Sequence, residues 1–357
     1  MARFFFIVFI AFSFFSCKER PEKIIGIKIY DYSGDYNMLV TKWEEMGINT
    51  AFVSSSLSGD EDFRAELKKK DISIFIIFPV FFNPEILSKD STLYAVTSSG
   101  SVAKDEWVEF VCPSRKKYRE AMKREISEIA GSLDPDGISI DFIRHFVYWE
   151  KTYPDRDFKT IEKACYCDSC LSGFTDKYEI IIPEFYGTVA EKAEWIEKNH
   201  SSEWNTYRCN LITSMIRELS DEVHAINKEI LINVHIVPWR SYDFNNGIIN
   251  IAGQDLENIR LYTDYVSPMC YSQMVDRGAE WIPEVVKDMD EKAAGKVLPS
   301  IQVYPYYIDR QLTAAHFRLC MEEALKPPSR GVVFFSWPLF EKDSSRMQVV
   351  RDVIEQY

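Results

Sequence analysis

The residues best suited to chemistry in this sequence cluster around Asp141, which is followed by Arg144 and His145. Residues 137–142 form a short apolar run entered through a Pro-Asp-Gly turn signal, and this pattern predicts a strand. Strand alternation puts Ser139 and Asp141 on one face and isoleucines on the other. A carboxylate on an inward face is costly unless another group pairs with it or uses it. We therefore predict that Asp141 is catalytic or contacts a ligand; a purely structural salt bridge to Arg144 is the alternative.

The segments around Asp141 alternate between apolar runs and helix-period stretches. The predicted strands are residues 24–30, 47–54, 72–82, 137–142, 230–237, 265–271, 297–304 and 331–337. The predicted helices are residues 38–46, 61–70, 115–132, 203–227, 256–262, 281–294, 314–325 and 347–356. Eight strands interleaved with helices predict an α/β fold of the (β/α)8 TIM-barrel type, with catalytic groups at the carboxyl ends of the strands. A doubly wound sheet is disfavoured because the sequence has no Gly-rich phosphate loop.

The same pattern sets the expected domain organisation. Residues 22–357 are predicted to form a single barrel domain, with a long inserted loop region after strand 4 around residues 147–200. Apolar content of 46% and charged content of 27% are ordinary for a globular protein. The net charge of −13 and the lack of a basic stripe argue against a nucleic-acid partner.

Alternation along the other strands predicts more polar and aromatic side chains at the mouth of the barrel. Besides Asp141, the candidate substrate-binding residues are Asp31, Arg144, His145, Asn233, His235, Tyr271, Gln302, Tyr304 and Trp337. A structural barrel interior would favour Val, Ile and Leu at such positions. A single residue such as His235 is equally well a buried histidine with hydrogen-bond partners in the core. The prediction therefore depends on several such residues being expected at the same end of the barrel. Together these side chains indicate a pocket that hydrogen-bonds and stacks against a polyhydroxylated ligand.

The N-terminal residues resemble a secretion signal rather than part of the fold. A short positive start precedes the apolar run 4–15, which is too short to span a bilayer stably. The run ends in Phe-Phe-Ser-Cys and resembles a bacterial lipoprotein signal, although Phe15 departs from the small residue usual there. The resemblance implies that residues 1–17 are a signal peptide ending at a lipidated Cys17. It also implies an exported protein held in the cell envelope by its lipid, on the periplasmic side or at the outer-membrane surface.

Two motifs resemble those of bacterial glycoside-hydrolase-like barrel families. The first is Asp-Gly-x-x-x-Asp-x-x-Arg at residues 136–144. The second joins Gly-Gln-Asp at 253–255 to Asp-x-x-Ser-Pro-Met-x-Tyr at 264–271. The first strand motif is also similar to those of α-amylase-type enzymes and family 18 chitinases, but Ser139 and Ile143 stand where those families have an Arg and a catalytic Glu. The resemblance implies hydrolysis of glycosidic bonds in a poly- or oligosaccharide substrate.

Glycosidic hydrolysis usually needs two carboxyl groups, one acting as acid and the other as nucleophile or base. Asp141 is the predicted nucleophile or base. The candidate acids are Glu341, Asp31, Glu150 and Glu106, and Glu341 is preferred because it follows the eighth strand. No cofactor is expected for this reaction.

Functions of other classes stay open from the sequence. The departures at Ser139 and Ile143 also suit a non-catalytic glycan-binding lipoprotein. A polysaccharide lyase or deacetylase is a further alternative, but a deacetylase needs a His/Asp metal set that the 5 histidines do not form.

Four of the eight cysteines have spacing that suits a metal site. Closely placed thiolates can bind zinc tetrahedrally. A Cys followed much later by Cys-x-Cys-x-x-Cys is similar to the structural zinc cluster of family 42 β-galactosidases. That resemblance implies Cys112, Cys165, Cys167 and Cys170 as ligands. Disulfides are the first alternative, since an exported protein meets an oxidising environment, and free thiols are the second.

Overall fold

The structure, a computed structural model, describes residues 23–357; the predicted signal peptide and Cys17 therefore lie outside the described residues. Eight strands form its central sheet. They are β1 (Ile24–Ile29), β2 (Thr50–Ser54), β3 (Ser73–Pro79), β4 (Gly137–Asp141), β5 (Leu231–Ile236), β6 (Tyr265–Pro268), β7 (Ser300–Gln302) and β8 (Gly331–Phe335).

The strands follow one another around a ring. Their hydrogen-bonded order is β6-β5-β4-β3-β2-β1-β8-β7, and every neighbouring pair is parallel. Isolated parallel bridges at Val266–Val297 and Met269–Ser300 bring the edge strands β6 and β7 together and nearly close the ring. This confirms the predicted (β/α)8 barrel.

Helices cover the outside of the ring. The α-helices among residues 23–357 are Tyr36–Glu45, Ser55–Ser58, Glu61–Lys69, Pro84–Lys89, Lys116–Leu133, Asp168–Tyr178, Val189–Asn199, Ser201–Ile226, Gly247–Asn250, Leu256–Ile259, Trp281–Ala293, Ala314–Leu325, Trp337–Phe340 and Ser345–Ile354. Short 3-10 helices occur at Ser91–Leu93, Trp149–Lys151, Phe158–Thr160 and Arg260–Tyr262. None of the helices in this part of the chain has the length and apolar character needed to cross a membrane.

The helix Lys116–Leu133 illustrates how the sequence produces the outer layer. Its buried residues Tyr118, Met122, Ile126 and Ala130 recur every four positions and form one apolar stripe. Ser201–Ile226 packs against the same helix. Each fully buried large apolar side chain contributes roughly 1.5–3 kcal/mol relative to exposure.

The lumen of the barrel is layered along its axis. At the amino-terminal end, strand residues form a small apolar cluster that consists of Phe52, Phe75, Ile77, Leu298 and Val333. Further along β4, β5, β6 and β7 the inward residues are the polar Ser139, Asn233, Ser267 and Ser300, and two positions beyond these lie Asp141, His235, Met269 and Gln302. The strands therefore present a packed apolar floor, and polar side chains collect toward the carboxyl ends of the strands, where barrel enzymes have their active sites.

Candidate active site

A cavity of about 150 Å³ lies at the carboxyl ends of the strands. Its charged lining residues are Lys28, Asp141, Arg144 and Glu150. The remaining lining is apolar or aromatic and consists of Tyr30, Trp107, Phe142, Trp149, Met269, Tyr271, Met274, Tyr306, Tyr307 and Phe335. A larger depression, of about 680 Å³, lies at the opposite end of the barrel, where conserved chemistry is not expected in this fold.

Asp141 is the last residue of β4, and its side chain is only 6% exposed. The N–H of Phe142 donates a 2.7 Å hydrogen bond to Oδ1 of Asp141. Phe142 has a φ of 49°, in the left-handed region that a bulky L-residue rarely adopts. This backbone turn at the strand end fixes the carboxylate at the cavity wall.

The surroundings of Asp141 favour its ionised form. Burial by itself raises the pKa of this carboxyl, but His235, Lys28, the Phe142 N–H and Arg144 together hold the pKa below its usual value. Burial and Lys28 lower the pKa of His235 to about 3, so this imidazole is neutral near pH 7. The positive charges beside Asp141 at neutral pH are therefore Lys28 and Arg144.

Lys28 on β1 is itself 1% exposed. Burial lowers the pKa of Lys28 to about 8, while Asp141 opposes this shift. Its Nζ lies 3.5 Å from Nδ1 of His235. Lys28 is thus mostly charged at neutral pH and lies in the cavity wall.

Glu150 lies in the 3-10 helix Trp149–Lys151 and is 7% exposed. Its Oε2 is buried without a hydrogen-bond partner among residues 23–357. Burial raises the pKa of Glu150 to about 7, with a further small rise from Asp141, although Arg144 acts in the opposite direction. Glu150 is therefore substantially protonated at neutral pH, when Asp141 is ionised.

Arg144 connects the two carboxyl groups electrostatically. Its guanidinium is buried, lies 4.9 Å from the ring centroid of Phe110 and 5.3 Å from that of Phe142. Burial lowers the pKa of Arg144, and the nearby Glu150 and Asp141 offset this. A guanidinium keeps its charge in proteins, so it stabilises whichever carboxyl group is ionised.

A buried polar network lies beneath Asp141 in the lumen. Oγ of Ser139 is 3.0 Å from Nε2 of His235 and accepts a 2.9 Å hydrogen bond from Asn233 Nδ2. Oγ of Ser267 donates to Asn233 Oδ1 at 2.7 Å. Asn233 and His235 therefore both contact Ser139. They were predicted to bind substrate, but they do not line the cavity.

Two other predicted substrate-binding residues, Gln302 and His145, contact protein groups and do not line the cavity. Oε1 of Gln302 accepts a hydrogen bond from the Met274 N–H, and its Nε2 donates to Gln273 Oε1 at 2.8 Å. His145 is fully buried, with Nε2 3.1 Å from the Arg208 carbonyl oxygen. Its edge packs against Gly253, where an added Cβ would lie 2.5 Å from the ring, so the Gly-Gln-Asp motif leaves room for this histidine.

The structure brings Asp141, Arg144 and Tyr271 to the cavity, as the sequence predicts. Tyr271 stacks on Phe335 with a centroid separation of 5.1 Å and an interplanar angle of 17°. The other predicted residues that do not line the cavity are Asp31, Tyr304, Trp337, Glu106 and Glu341. Trp337 begins a helix and packs against Trp43 at 5.7 Å in the outer core, because β8 ends two residues earlier.

Sequence reasoning missed several lining residues, above all Lys28, Tyr30 and Phe335. Alternation could have found the first two, since Gly26, Lys28 and Tyr30 share one face of the predicted strand 24–30. Trp107, Tyr306 and Tyr307 lie in connections without periodicity, so no pattern in the sequence indicates them.

The four predicted metal ligands form a separate buried cluster. The sulfur atoms of Cys112, Cys165, Cys167 and Cys170 all lie within 4.8 Å of one another. Sγ of Cys112 is 3.4 Å from that of Cys167 and 3.5 Å from that of Cys170. These distances are too long for a disulfide of about 2.05 Å. They fit four thiolates around one zinc ion, which at a Zn–S distance of about 2.3 Å stand roughly 3.8 Å apart.

Comparison with solved structures places this architecture among glycoside hydrolases. The glycoside hydrolase domain of PgaB (BpsB) from Bordetella bronchiseptica matches with a TM-score of 0.70 and 10% identity, over 93% of this chain and 99% of that chain. A β-galactosidase from the psychrophilic Marinomonas ef1 matches with a TM-score of 0.67 and 11% identity, over 92% of this chain and 58% of that chain. A GH42 β-galactosidase from G. stearothermophilus matches with a TM-score of 0.59 and 12% identity, over 92% of this chain and 56% of that chain.

These neighbours establish the fold, since fold similarity at such low identity does not transfer an activity. No protein-family model and no curated protein matches the chain. Fold and site together define a (β/α)8 barrel with two buried carboxyl groups in a cavity at the strand ends.

Proposed function

We propose that the protein is a glycoside hydrolase acting on a poly- or oligosaccharide, with Asp141 as nucleophile or base and Glu150 as acid. The observation that carries this proposal is the pair of buried carboxyl groups in one cavity whose pKa values are moved in opposite directions. A structural role would need only one ionised carboxylate with its charge paired. Two carboxyl groups whose pKa values are shifted in opposite directions suit a division of roles between a general acid and a base or nucleophile. Glu150 takes the role for which the sequence favoured Glu341.

In the proposed reaction, Glu150 donates its proton to the glycosidic oxygen while the bond from that oxygen to the anomeric carbon breaks. Asp141 either attacks the anomeric carbon or takes a proton from the water that attacks it. In the first case, water then displaces Asp141 and returns a proton to Glu150. In the second case, Asp141 gains the proton of the water and both groups re-equilibrate with solvent. Either way one water is consumed for each bond cleaved.

The other lining residues have supporting roles in this proposal. Lys28 and Arg144 keep Asp141 ionised. The stacked pair Tyr271 and Phe335 offers an aromatic face of the kind that packs against the apolar side of a sugar ring. Glu150 and Trp149 also line the cavity, and the buried atoms Glu150 Oε2 and Trp149 Nε1 have no hydrogen-bond partner among residues 23–357.

The variant Asp141→Asn tests the proposal directly. We expect its turnover of a glycan cleaved by the wild type to fall by about 10²–10⁴-fold, because the amide can neither attack nor accept a proton. Binding of the same glycan should survive. Asp62→Asn, an exposed change on the helix Glu61–Lys69, is the matched control and should leave turnover unchanged.

The alternative is a glycan-binding protein without catalysis. It would be favoured if the wild type binds oligosaccharides in a broad panel and never releases reducing sugar, and if Asp141→Asn changes neither property.

We further propose that the cysteine cluster holds a structural zinc ion and that Cys17 carries a lipid. The first rests on the fit of four buried thiols to tetrahedral zinc. When bound, the ion would tie together the chain segments that carry Cys112 and Cys165–Cys170; none of the four cysteines lines the cavity. The second rests on the sequence around Cys17 alone, and it implies membrane anchoring in the cell envelope.

A further inference from the structure

A group of side chains, here called the aromatic strap, crosses the mouth of the barrel. It consists of Trp107, Tyr148 and Tyr307 with the ion pair of Glu106 and Lys151. Trp107 lies at the tip of the short hairpin formed by Lys104–Asp105 and Val108–Glu109, in the connection from β3 to β4. Tyr148 and Lys151 follow β4, and Tyr307 lies between β7 and β8.

The strap is held by direct polar contacts. Nε1 of Trp107 donates to the hydroxyl oxygen of Tyr148 at 2.9 Å and to that of Tyr307 at 3.0 Å. The Tyr148 hydroxyl donates to Glu106 at 3.1 Å. The Nζ of Lys151 lies 5.3 Å from the ring centroid of Tyr148 and 5.4 Å from that of Tyr307.

The topology makes these contacts a bridge. In a ring of eight strands, the connection after β3 and the connection after β7 lie on opposite sides. Trp107 and Tyr307 both line the cavity that contains Asp141, and each is 43% exposed. The strap therefore covers part of the cavity mouth, along the line where an open cleft would continue across the barrel.

The space beneath the strap is too small for two sugar rings. The cavity is about 150 Å³, and an apolar cavity of this size in another protein holds a single benzene ring. Its aromatic walls include Tyr30, Phe142, Trp149 and Tyr306. A cleft that binds an internal stretch of a polysaccharide would have to be open at both ends.

Building on the proposed hydrolase function, we propose that the enzyme is exo-acting and removes single sugar residues from the non-reducing end of a glycan. The ring that enters the cavity presents its anomeric carbon to Asp141 and Glu150, and the rest of the chain leaves through that carbon's glycosidic oxygen. In this arrangement, hydroxyls on the far side of the ring face the strap and the aromatic walls, which leave no room for further sugars. Each cleavage consumes one water and releases one monosaccharide.

The test is the product pattern of the full chain on α- and β-linked hexasaccharides labelled at the reducing end. We expect a free monosaccharide and a labelled pentasaccharide as first products. Labelled fragments of intermediate length in the first products would overturn exo action while supporting the hydrolase proposal. If no oligosaccharide is cleaved by the wild type, the hydrolase proposal fails and the exo proposal fails with it.

Variants of the strap test its role. Trp107→Ala removes the bridge, and we expect intermediate fragments to appear, because longer stretches of chain can then lie across the barrel mouth. Tyr307→Ala removes the other end of the bridge at an exposed position, and the same change is expected. Phe185→Ala is the matched control, because this aromatic ring is 77% exposed on a remote part of the chain and should leave the product pattern unchanged. An unchanged pattern in folded Trp107→Ala and Tyr307→Ala proteins would overturn the strap as the determinant of exo action.

Discussion

At the scale of single residues, the site depends on the contrast between Asp141 and Glu150. Both side chains are buried in the same cavity. Asp141 lies between Lys28 and Arg144, whereas Glu150 has Arg144 as its one nearby cation and the negative Asp141 as a neighbour. Burial therefore prevails at Glu150 and is overcome at Asp141, and one residue is a proton donor where the other is an anion.

The assignment of the acid can be decided by comparing Glu150→Gln with Glu341→Gln. Glu150→Gln should lower turnover of natural oligosaccharides by about 10²–10⁴-fold, because the leaving oxygen is no longer protonated. An aryl glycoside with an acidic phenol as leaving group needs little protonation, so its cleavage should be much less affected. Glu341→Gln should leave both rates near wild type, and the reverse result would restore Glu341 as the acid.

Glu150→Gln is expected to lower turnover but to raise the stability of the fold at alkaline pH. The pKa of Glu150 is raised from 4.5 to about 7, so the protonated form stabilises the fold below pH 4.5 and this contribution is lost as pH rises through 7. Glu150→Gln has no charge to bury and should exceed the wild type by about 3 kcal/mol in unfolding free energy at pH 8. The gain should vanish near pH 4. Denaturant titrations at both pH values measure it, with Glu341→Gln as a control that shows no such pH dependence.

At the scale of elements, β1 contributes a cation, Lys28, that was not among the residues predicted from the sequence. Lys28 lies on the opposite face of β1 from its apolar neighbours Ile27 and Ile29, and it lines the same cavity as Asp141. The proposed reaction requires Asp141 ionised and Glu150 protonated, so the rate should rise with pH through the pKa of Asp141 and fall above about 7. The acid limb of the pH–rate profile therefore reports on Asp141 of β4 and its neighbour Lys28 of β1. The alkaline limb reports on Glu150 in the 3-10 helix Trp149–Lys151.

Lys28→Met should move the acid limb to higher pH, because loss of the ammonium raises the pKa of Asp141. The alkaline limb should stay near its wild-type position. Lys296→Met provides a control: its Nζ donates to the carbonyl oxygens of Arg260 and Thr263, away from the cavity. An acid limb unmoved in Lys28→Met would show that Arg144 and the Phe142 N–H suffice to keep Asp141 ionised.

The cysteine cluster links two barrel connections, with Cys112 between β3 and β4 and the other three between β4 and β5. We expect one zinc ion per purified chain by elemental analysis. Cys170→Ser should lose the ion and lower the melting temperature, since a structural zinc contributes directly to folding. Cys320→Ser changes a buried cysteine outside the cluster and should keep the zinc. A wild type free of zinc with paired, oxidised cysteines would favour disulfides.

Element prediction succeeded where periodicity was strong and failed where it was absent. All eight strands were predicted, but apolar residues beyond the strand ends extended several of them; residues 297–304 contain only Ser300–Gln302 as a strand. The same overrun at β8 placed Trp337 at the mouth, although it begins a helix there. Glu150, in an irregular connection, could be noted as a carboxylate, yet only its burial distinguishes it from Glu341.

At the scale of the whole molecule, the sequence predicted the barrel and the strand that bears Asp141, because both follow from local alternation. The cavity could not be predicted in the same way, since its walls come from connections after β3, β4, β6 and β7 that meet only when the ring closes. Contacts such as Trp107 to Tyr307, 200 positions apart in the chain, have no local signature.

Ring closure itself depends on space at the floor of the barrel, and Gly137 provides it. A Cβ at Gly137 would lie 2.4 Å from Cε1 of Phe75, a ring fixed in the apolar cluster of the lumen. Gly137→Ala should therefore lower the unfolding free energy by about 1–3 kcal/mol, through overpacking. Gly131→Ala, inside the helix Lys116–Leu133, meets nothing closer than 4.0 Å and should raise it by roughly 0.5–1 kcal/mol. Chemical denaturation of the two variants measures the difference; equal stabilities would mean that β4 can shift outward, and since Asp141 ends that strand, the cavity would then shift with it.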